Sequence, residues 1–148
     1  NIFNELVKNN GVKVKIFGLR ENLPTKIINI FNKIETDSSK NDKLNLNIAF
    51  NYGFKDEIKH IFNKIKNNDF NHNFENEKNI RSLFYLGNLP DPDLLIRTGG
   101  YQRLSNFIMF NLTYTELFFT DTLWPEFTEK EFKKIISKYM SINRKYGL

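Results

Sequence analysis

Residues 93–106 read DLLIRTGGYQRLSN and carry the clearest structural signal in the chain. The apolar run 94–96 is typical of a short buried strand. The pair Gly99-Gly100 that follows allows a tight loop, because glycine readily adopts a left-handed backbone. Ser105 or Asn106 then predicts the start of a helix, since both residue types favour the N-cap position. The stretch predicts a strand, a loop and a helix in succession.

The rest of the chain repeats this alternation of strands and helices. Apolar residues recur at helical spacing in Ile27–Ile34, Ile58–Ile65 and Phe132–Met140. Strand-like runs occupy 12–17, 44–50 and 94–96, with a weaker candidate at 117–120. Alternating strands and amphipathic helices favour an α/β fold, with a parallel sheet that helices cover on both faces.

The polar segments between these elements do not divide the chain. Residues 67–79 are rich in Asn and Asp and predict a loop or a frayed helix end. A short opening helix is predicted over Ile2–Asn9. No internal repeat and no convincing linker is found, so we expect residues 1–148 to belong to one domain.

The last predicted helix has a well-specified beginning. Thr128 is its predicted N-cap, and Glu131 stands three residues later, where it would complete a capping box. Phe127 and Phe132 occupy the two positions of a hydrophobic staple around that cap.

Composition excludes several classes of function. The chain of 148 residues has no cysteine, which rules out disulfides, thiolate metal sites and a cysteine nucleophile. No apolar run approaches the roughly 20 residues of a membrane-spanning helix. The net charge of +5 is modest and is compatible with anionic ligands, with nucleic acid or with a solvated surface.

The glycine loop has the features of an anion site. In open parallel sheets, ligands bind beyond the carboxyl ends of the strands, where this loop is expected. Arg97 and Arg103 flank the loop, and they are two of only five arginines. Their planar guanidinium groups suit bidentate contact with phosphate, and the glycine amides and a helix N-terminus would add donors. The segment predicts a diphosphate-type site; the alternative is a turn with solvated arginines.

Two carboxylates near this segment are candidates for a metal. Glu116 and Asp121 bracket the run Leu117–Phe119. A carboxylate beside an anion site often serves Mg2+, which keeps water and phosphate oxygens as its other ligands. Spacing alone favours the plainer alternative, a cap or a solvated charge at a strand end.

Other chemistries have little support in the residues. The chain has neither a Walker loop nor a Gly-x-Gly-x-x-Gly motif, and His60 and His72 lack the spacing of metal ligands. Nucleic-acid binding remains an alternative because the chain is basic, although its aromatic residues follow the period of a core rather than alternate with basic residues.

Several motifs together resemble the cis-prenyltransferase family, that of undecaprenyl and dehydrodolichyl diphosphate synthases. The matching stretches are LNIAFNYG (46–53), PDPDLLIR (90–97), RTGGYQRLSNF (97–107), ELFFTD (116–121) and LWPEF (123–127). They occur in the family's order, and the resemblance covers most of the chain.

The resemblance implies a fold and a reaction. The fold is a parallel sheet flanked by helices around a hydrophobic tunnel. The reaction condenses isopentenyl diphosphate with an allylic diphosphate, such as farnesyl diphosphate, to make long-chain cis-polyprenyl diphosphate with Mg2+. We therefore expect a transferase that works as a homodimer or a heteromer and delivers its product to a membrane. The expected compartment is the cytoplasm, the endoplasmic-reticulum membrane or a plastid-type organelle.

The resemblance also assigns roles to individual positions. The residues implied to bind isopentenyl diphosphate are Arg97, Arg103, Leu104 and Ser105. Gly99 and Gly100 would shape the loop, and Glu116 would help to bind Mg2+. No residue of this chain is assigned as catalytic.

The chain also departs from the family pattern. Tyr101 stands where many members have Glu. The family's first motif, Met-Asp-Gly-Asn-x-Arg, supplies an aspartate for Mg2+ and is absent from these residues. We therefore expect the chain to be the C-terminal part of the domain and not to catalyse prenyl transfer alone. The alternative within the family is a non-catalytic partner subunit, but such partners usually lose the arginine loop that is intact here.

Overall fold

A computed structural model describes residues 10–67 and 74–144. The chain divides into two compact units, Asn1–Tyr85 and Leu86–Leu148. The elements of the first unit are β1 (Val12–Phe17), α1 (Thr25–Ser38), β2 (Leu44–Ala49), α2 (Phe54–Lys66) and α3 (Glu77–Arg81). Those of the second are β3 (Leu94–Arg97), a 3-10 turn (Met109–Leu112), β4 (Glu116–Phe119), a second 3-10 turn (Trp124–Glu126) and α4 (Glu129–Met140).

The predicted α/β class is confirmed, with differences in detail. The first strand has its predicted bounds, and the other three agree within one residue. The helix predicted over Ile2–Asn9 lies outside the described residues. The segment 67–79 is not entirely a loop or helix end, because α3 begins at Glu77 and Asn76 caps it by accepting a bond from the Lys78 amide. The prediction of one domain over residues 1–148 stays a prediction.

The first unit is built on a pair of parallel strands, β1 and β2. Their register runs from Val12 opposite Leu44 to Phe17 opposite Ala49. Alternate β1 residues Val12, Val14 and Ile16 are buried, and Phe31 and Ile34 of α1 pack against them. Burial on a two-residue period is what a strand with one face on a core requires.

The outer edge of β1 is closed by side chains of α1. The Ser38 hydroxyl accepts a hydrogen bond of 3.0 Å from the Val14 amide. The Glu35 carboxylate accepts one of 2.8 Å from the Ile16 amide. These bonds occupy amides that a further strand would need, so β1 is a terminal strand. Among the described residues, β2 pairs with β1 alone.

The second unit holds the other parallel pair, β3 and β4. Leu94 lies opposite Glu116, and Arg97 lies opposite Phe119. The Thr120 amide donates to the Arg97 carbonyl at 3.0 Å, which extends the pairing past the end of both strands. The loop that follows Arg97 therefore lies at the carboxyl ends of the strands, as predicted.

The cap predicted for α4 is confirmed. The Thr128 hydroxyl accepts from the Glu131 amide at 3.3 Å, and the Glu131 carboxylate accepts from the Thr128 amide at 3.1 Å. Hydrogen bonds from Thr122 and Thr128 lower the pKa of Glu131. Because this pKa is lowered, the stabilisation is present above the ordinary carboxyl pKa and is lost as pH falls through the folded value.

Thr128→Ala is expected to lower the free energy of unfolding by about 1 kcal/mol at pH 7, because it removes an N-cap side chain. The difference from the unaltered chain should shrink in acid, since the Thr128 hydroxyl also donates to the Glu131 carboxylate at 3.1 Å. Urea unfolding followed by circular dichroism at pH 7 and pH 3 measures both effects. A variant as stable as the unaltered chain at pH 7 would show that the cap contributes nothing.

Across residues 10–67 and 74–144, none of the helices is both long enough and apolar enough to cross a bilayer.

Candidate functional site

Arg97 organises the loop at the end of β3. Its Nη1 atom donates to the Ser105 hydroxyl at 2.8 Å and also to the carbonyl oxygen of Arg103. The Arg97 side chain is half-buried, so it crosses the base of the loop instead of extending into solvent. The three polar residues that the sequence singled out thus lie next to one another.

These residues border an open cavity of about 350 Å³. Its lining residues are Leu95, Ile96, Arg97, Thr98, Arg103, Leu104, Ser105 and Phe107. All four residues predicted to bind isopentenyl diphosphate therefore lie on one cavity. The cavity combines two guanidinium groups and a hydroxyl with apolar walls, a mixture that suits a ligand with an anionic head and a hydrocarbon tail.

Of the apolar walls of this cavity, only Leu104 was identified as a site residue from the sequence. Leu95, Ile96 and Phe107 looked like ordinary core residues. Only their position in the sequence pointed to the site. Leu95 and Ile96 end the predicted strand before the loop, and Phe107 follows the loop directly.

The two glycines shape the loop, but their amides are not available to a ligand. Gly99 has φ +88° and its amide donates to the Thr122 carbonyl at 2.9 Å. Gly100 has φ +79° and its amide donates to the Thr120 carbonyl at 3.0 Å. The expectation that these amides face an anion is wrong, because both bonds fasten the loop to the segment after β4. The predicted left-handed backbone is confirmed.

The helix predicted to begin at Ser105 or Asn106 is also wrong. Both residues have positive φ, +49° and +65°, which the first residues of a helix do not adopt. The next helical turn is the short 3-10 turn at Met109–Leu112. No helix therefore begins at Ser105 or Asn106, and the charged donors of this loop are side chains.

Tyr101 contacts both arginines of the loop. Its ring centroid lies 4.5 Å from Cζ of Arg103 and 5.7 Å from Cζ of Arg97. Both distances are within the range of a cation–π interaction, about 6 Å. Sequence analysis noted Tyr101 only as a departure from the family, although an aromatic residue between two arginines was the available signal.

Glu116 lies away from the arginine cavity. It is the first residue of β4 and is paired with Leu94, whereas Arg97 is the last residue of β3. A strand rises about 3.3 Å per residue, so three residues separate the two levels by about 10 Å. Glu116 is half-buried, and its carboxylate makes no hydrogen bond or ion pair with a described residue. A carboxylate in that condition fits a hard cation that takes its other oxygens from water and phosphate.

Asp121 is the carboxylate nearest the glycine loop. A Cβ placed on Gly100 would lie 3.4 Å from the Asp121 Oδ1 atom. Within residues 10–67 and 74–144, however, no three acidic, histidine or cysteine side chains gather into a metal-binding group. The described residues would thus supply a cation with fewer than three such side chains.

Comparison with known proteins agrees with this arrangement. The prenyltransferase family model, described as undecaprenyl diphosphate synthase, matches residues 2–147. The isoprenyl transferase of Aquifex aeolicus is 42% identical over 137 residues, which cover 93% of this chain and 58% of that protein. The chain thus spans less than two thirds of this relative's length.

Two solved structures share the fold. One is a probable undecaprenyl diphosphate synthase from Campylobacter jejuni, with a TM-score of 0.82 and 29% identity over 99% of this chain and 70% of that one. The other is lavandulyl diphosphate synthase from Lavandula x intermedia, in complex with dimethylallyl diphosphate. Its TM-score is 0.85, with 27% identity over 99% of this chain and 65% of that one. The match over nearly every residue shows that this chain belongs to the undecaprenyl diphosphate synthase family of prenyltransferases.

Proposed function

We propose that this chain forms the isopentenyl-diphosphate-binding part of a cis-prenyltransferase. The enzyme would condense isopentenyl diphosphate with an allylic diphosphate, such as farnesyl diphosphate, to make a long-chain cis-polyprenyl diphosphate. The observation that carries the proposal is the convergence of Arg97, Arg103 and Ser105 on one cavity with apolar walls. Membership of the prenyltransferase family supports it.

The polar side of the cavity has the donors that a diphosphate needs. Arg97 and Arg103 each present a planar set of N–H groups that matches two phosphate oxygens. The Ser105 hydroxyl accepts from Arg97, so its own hydrogen remains available to a phosphate oxygen. The bond also fixes the distance between the hydroxyl and the guanidinium, and the diphosphate would meet donors that are already in place.

The apolar side would hold the hydrocarbon part of the substrate. Leu95, Ile96, Leu104 and Phe107 line this part of the cavity. They would exclude water and thereby strengthen the contacts between the arginines and the diphosphate. In the reaction, a carbon–carbon bond forms between the two substrates, diphosphate leaves the allylic carbon, and isopentenyl diphosphate loses one proton. No side chain of this chain is assigned to remove that proton.

Arg103→Ala is expected to weaken binding of inorganic pyrophosphate about thirtyfold, since a charged hydrogen-bonding partner is lost. Lys130→Ala is the matched control, because it removes the same charge from an exposed position in the same unit. Isothermal titration calorimetry on the 148-residue chain measures both. Equal affinities for Arg103→Ala and Lys130→Ala would mean that Arg103 does not bind pyrophosphate, and this would contradict the proposal.

Mg2+ belongs to the same proposal, with Glu116 as its ligand from this chain. The ion would neutralise part of the charge on a diphosphate. We expect Glu116→Gln to raise the Mg2+ concentration needed for half-maximal binding of isopentenyl diphosphate about tenfold.

Asp121→Asn is the control for this experiment, since it makes the same change at the carboxylate beside the loop. It should leave the Mg2+ titration unchanged. If Asp121→Asn shifts the Mg2+ titration and Glu116→Gln does not, Glu116 is not the ligand. The ligand would then be Asp121, which lies beyond the carboxyl end of β4.

A further inference from the structure

Among the described residues, only the ring of Tyr101 holds the side chain of Arg103 in the loop. The Arg103 side chain is exposed, and its guanidinium makes no hydrogen bond or ion pair with any residue in the described parts of the chain. The Tyr101 ring lies under it, at 4.5 Å from ring centroid to Cζ. Arg97, by contrast, is held by its bonds to Ser105 and to the Arg103 carbonyl.

This contact has a consequence for ligand binding. An exposed arginine loses rotamer freedom when it is fixed on a ligand, and that loss opposes binding. Stacking on a ring uses the flat face of the guanidinium and leaves its N–H groups, which point outward in the plane, available to phosphate. A ring at this position therefore orders the arginine without occupying its donors.

The same ring lies near both positive groups of the loop. Its centroid is also 5.7 Å from Cζ of Arg97, so both guanidinium groups lie within reach of its negative face.

We propose that Tyr101 is a positioning residue for the diphosphate site: its ring holds the guanidinium group of Arg103 in place for the anionic head of the substrate. The inference rests on the proposed function, since it assumes that these arginines bind a diphosphate. Tyr101 needs no contact with the ligand itself, and its phenol hydroxyl has no part in the effect.

The test compares two substitutions of Tyr101. Tyr101→Leu should weaken binding of inorganic pyrophosphate to the 148-residue chain about fivefold, as expected for an exposed cation–π contact. Tyr101→Phe keeps the ring and should stay within about twofold of the unaltered chain. Tyr114→Leu is the matched control, since Tyr114 is 59% exposed against 58% for Tyr101 and belongs to the same unit. It should not change the affinity.

A double substitution separates positioning from a general effect on the loop. In the Arg103→Ala background, Tyr101→Leu should weaken binding by less than about twofold, because the main group it positions is gone. A full fivefold loss in that background would show that Tyr101 supports the loop structurally, and this would overturn the proposal.

The remaining outcomes are equally distinct. If the unaltered chain binds pyrophosphate and Arg103→Ala weakens it while Tyr101→Leu does not, the positioning role is wrong and the proposed function stands. An equal loss in Tyr101→Phe and Tyr101→Leu would assign the effect to the hydroxyl and overturn the role of the ring. If the unaltered chain does not bind pyrophosphate at all, both proposals fail together.

Discussion

Arg97→Ala is expected to weaken binding of isopentenyl diphosphate about 100-fold, which corresponds to about 2.7 kcal/mol. The substitution removes a guanidinium group from the cavity. It also removes the bonds to the Ser105 hydroxyl and the Arg103 carbonyl, which hold the two ends of the loop together. The loss of affinity should therefore exceed that caused by Arg103→Ala, because the Arg103 side chain makes no such bonds. Calorimetric titration of the 148-residue chain measures the affinity.

Arg97→Lys is the matched variant for this prediction. Lysine keeps the charge, but its single ammonium group lacks the planar array of donors that spans two acceptors at once. We expect an intermediate loss of about tenfold. Affinities that do not change in either variant would contradict the diphosphate site and favour the alternative of a non-catalytic partner subunit.

Gly18→Ala is expected to cause the largest loss of stability, about 3 kcal/mol or more. Gly18 directly follows β1 and has φ +127°, a backbone conformation that residues with a side chain rarely adopt. A Cβ at this position would lie 2.1 Å from the carbonyl oxygen of Phe50 and 3.1 Å from its carbonyl carbon. The neighbouring Leu19 amide donates to the Asn51 carbonyl at 3.1 Å, so neither strand end can move away without losing that bond.

Gly99→Ala is the control that separates the clash from the backbone strain. Gly99 also has positive φ, +88°, but a Cβ there would meet only Leu123 Cδ2 at 3.9 Å, an ordinary contact. Its expected loss is about 1 kcal/mol, the cost of a left-handed backbone alone. Urea unfolding gives both values. Equal losses for the two variants would mean that the contact with the Phe50 backbone is not what restricts position 18.

The elements were predictable because their patterns are local. The strand at Val12–Phe17 and the cap at Thr128 depend on residues a few positions apart, and both were found where the sequence placed them. The arginine loop was predictable for the same reason, since its strand, glycines and arginines lie within one short segment.

The errors concern partners that are distant in sequence. The amides of Gly99 and Gly100 looked available to a ligand because nothing nearby in sequence accepts from them. Their acceptors, Thr122 and Thr120, come from the segment after β4. The distance between Glu116 and the cavity was likewise not readable from spacing along the chain, because it depends on the register of two strands. The assignment of Glu116 to a metal stays a prediction.

The Ser105 helix was mispredicted for a different reason. Serine and asparagine are favoured N-caps, but they are also tolerated in left-handed turns, where a short polar side chain bonds locally. Here the Ser105 hydroxyl serves as an acceptor for Arg97. The hydrogen-bond partner of the predicted cap is therefore the arginine and not a helix amide.

The location of the diphosphate can be measured directly by amide NMR on the isotopically labelled chain, titrated with inorganic pyrophosphate. The account predicts saturable shifts that are largest within residues 97–107 and are absent in Arg97→Ala. Shifts confined to another basic region, such as Lys15 and Arg20 in the first unit, would contradict it. Shifts within residues 97–107 that persist unchanged in Arg97→Ala would contradict it equally.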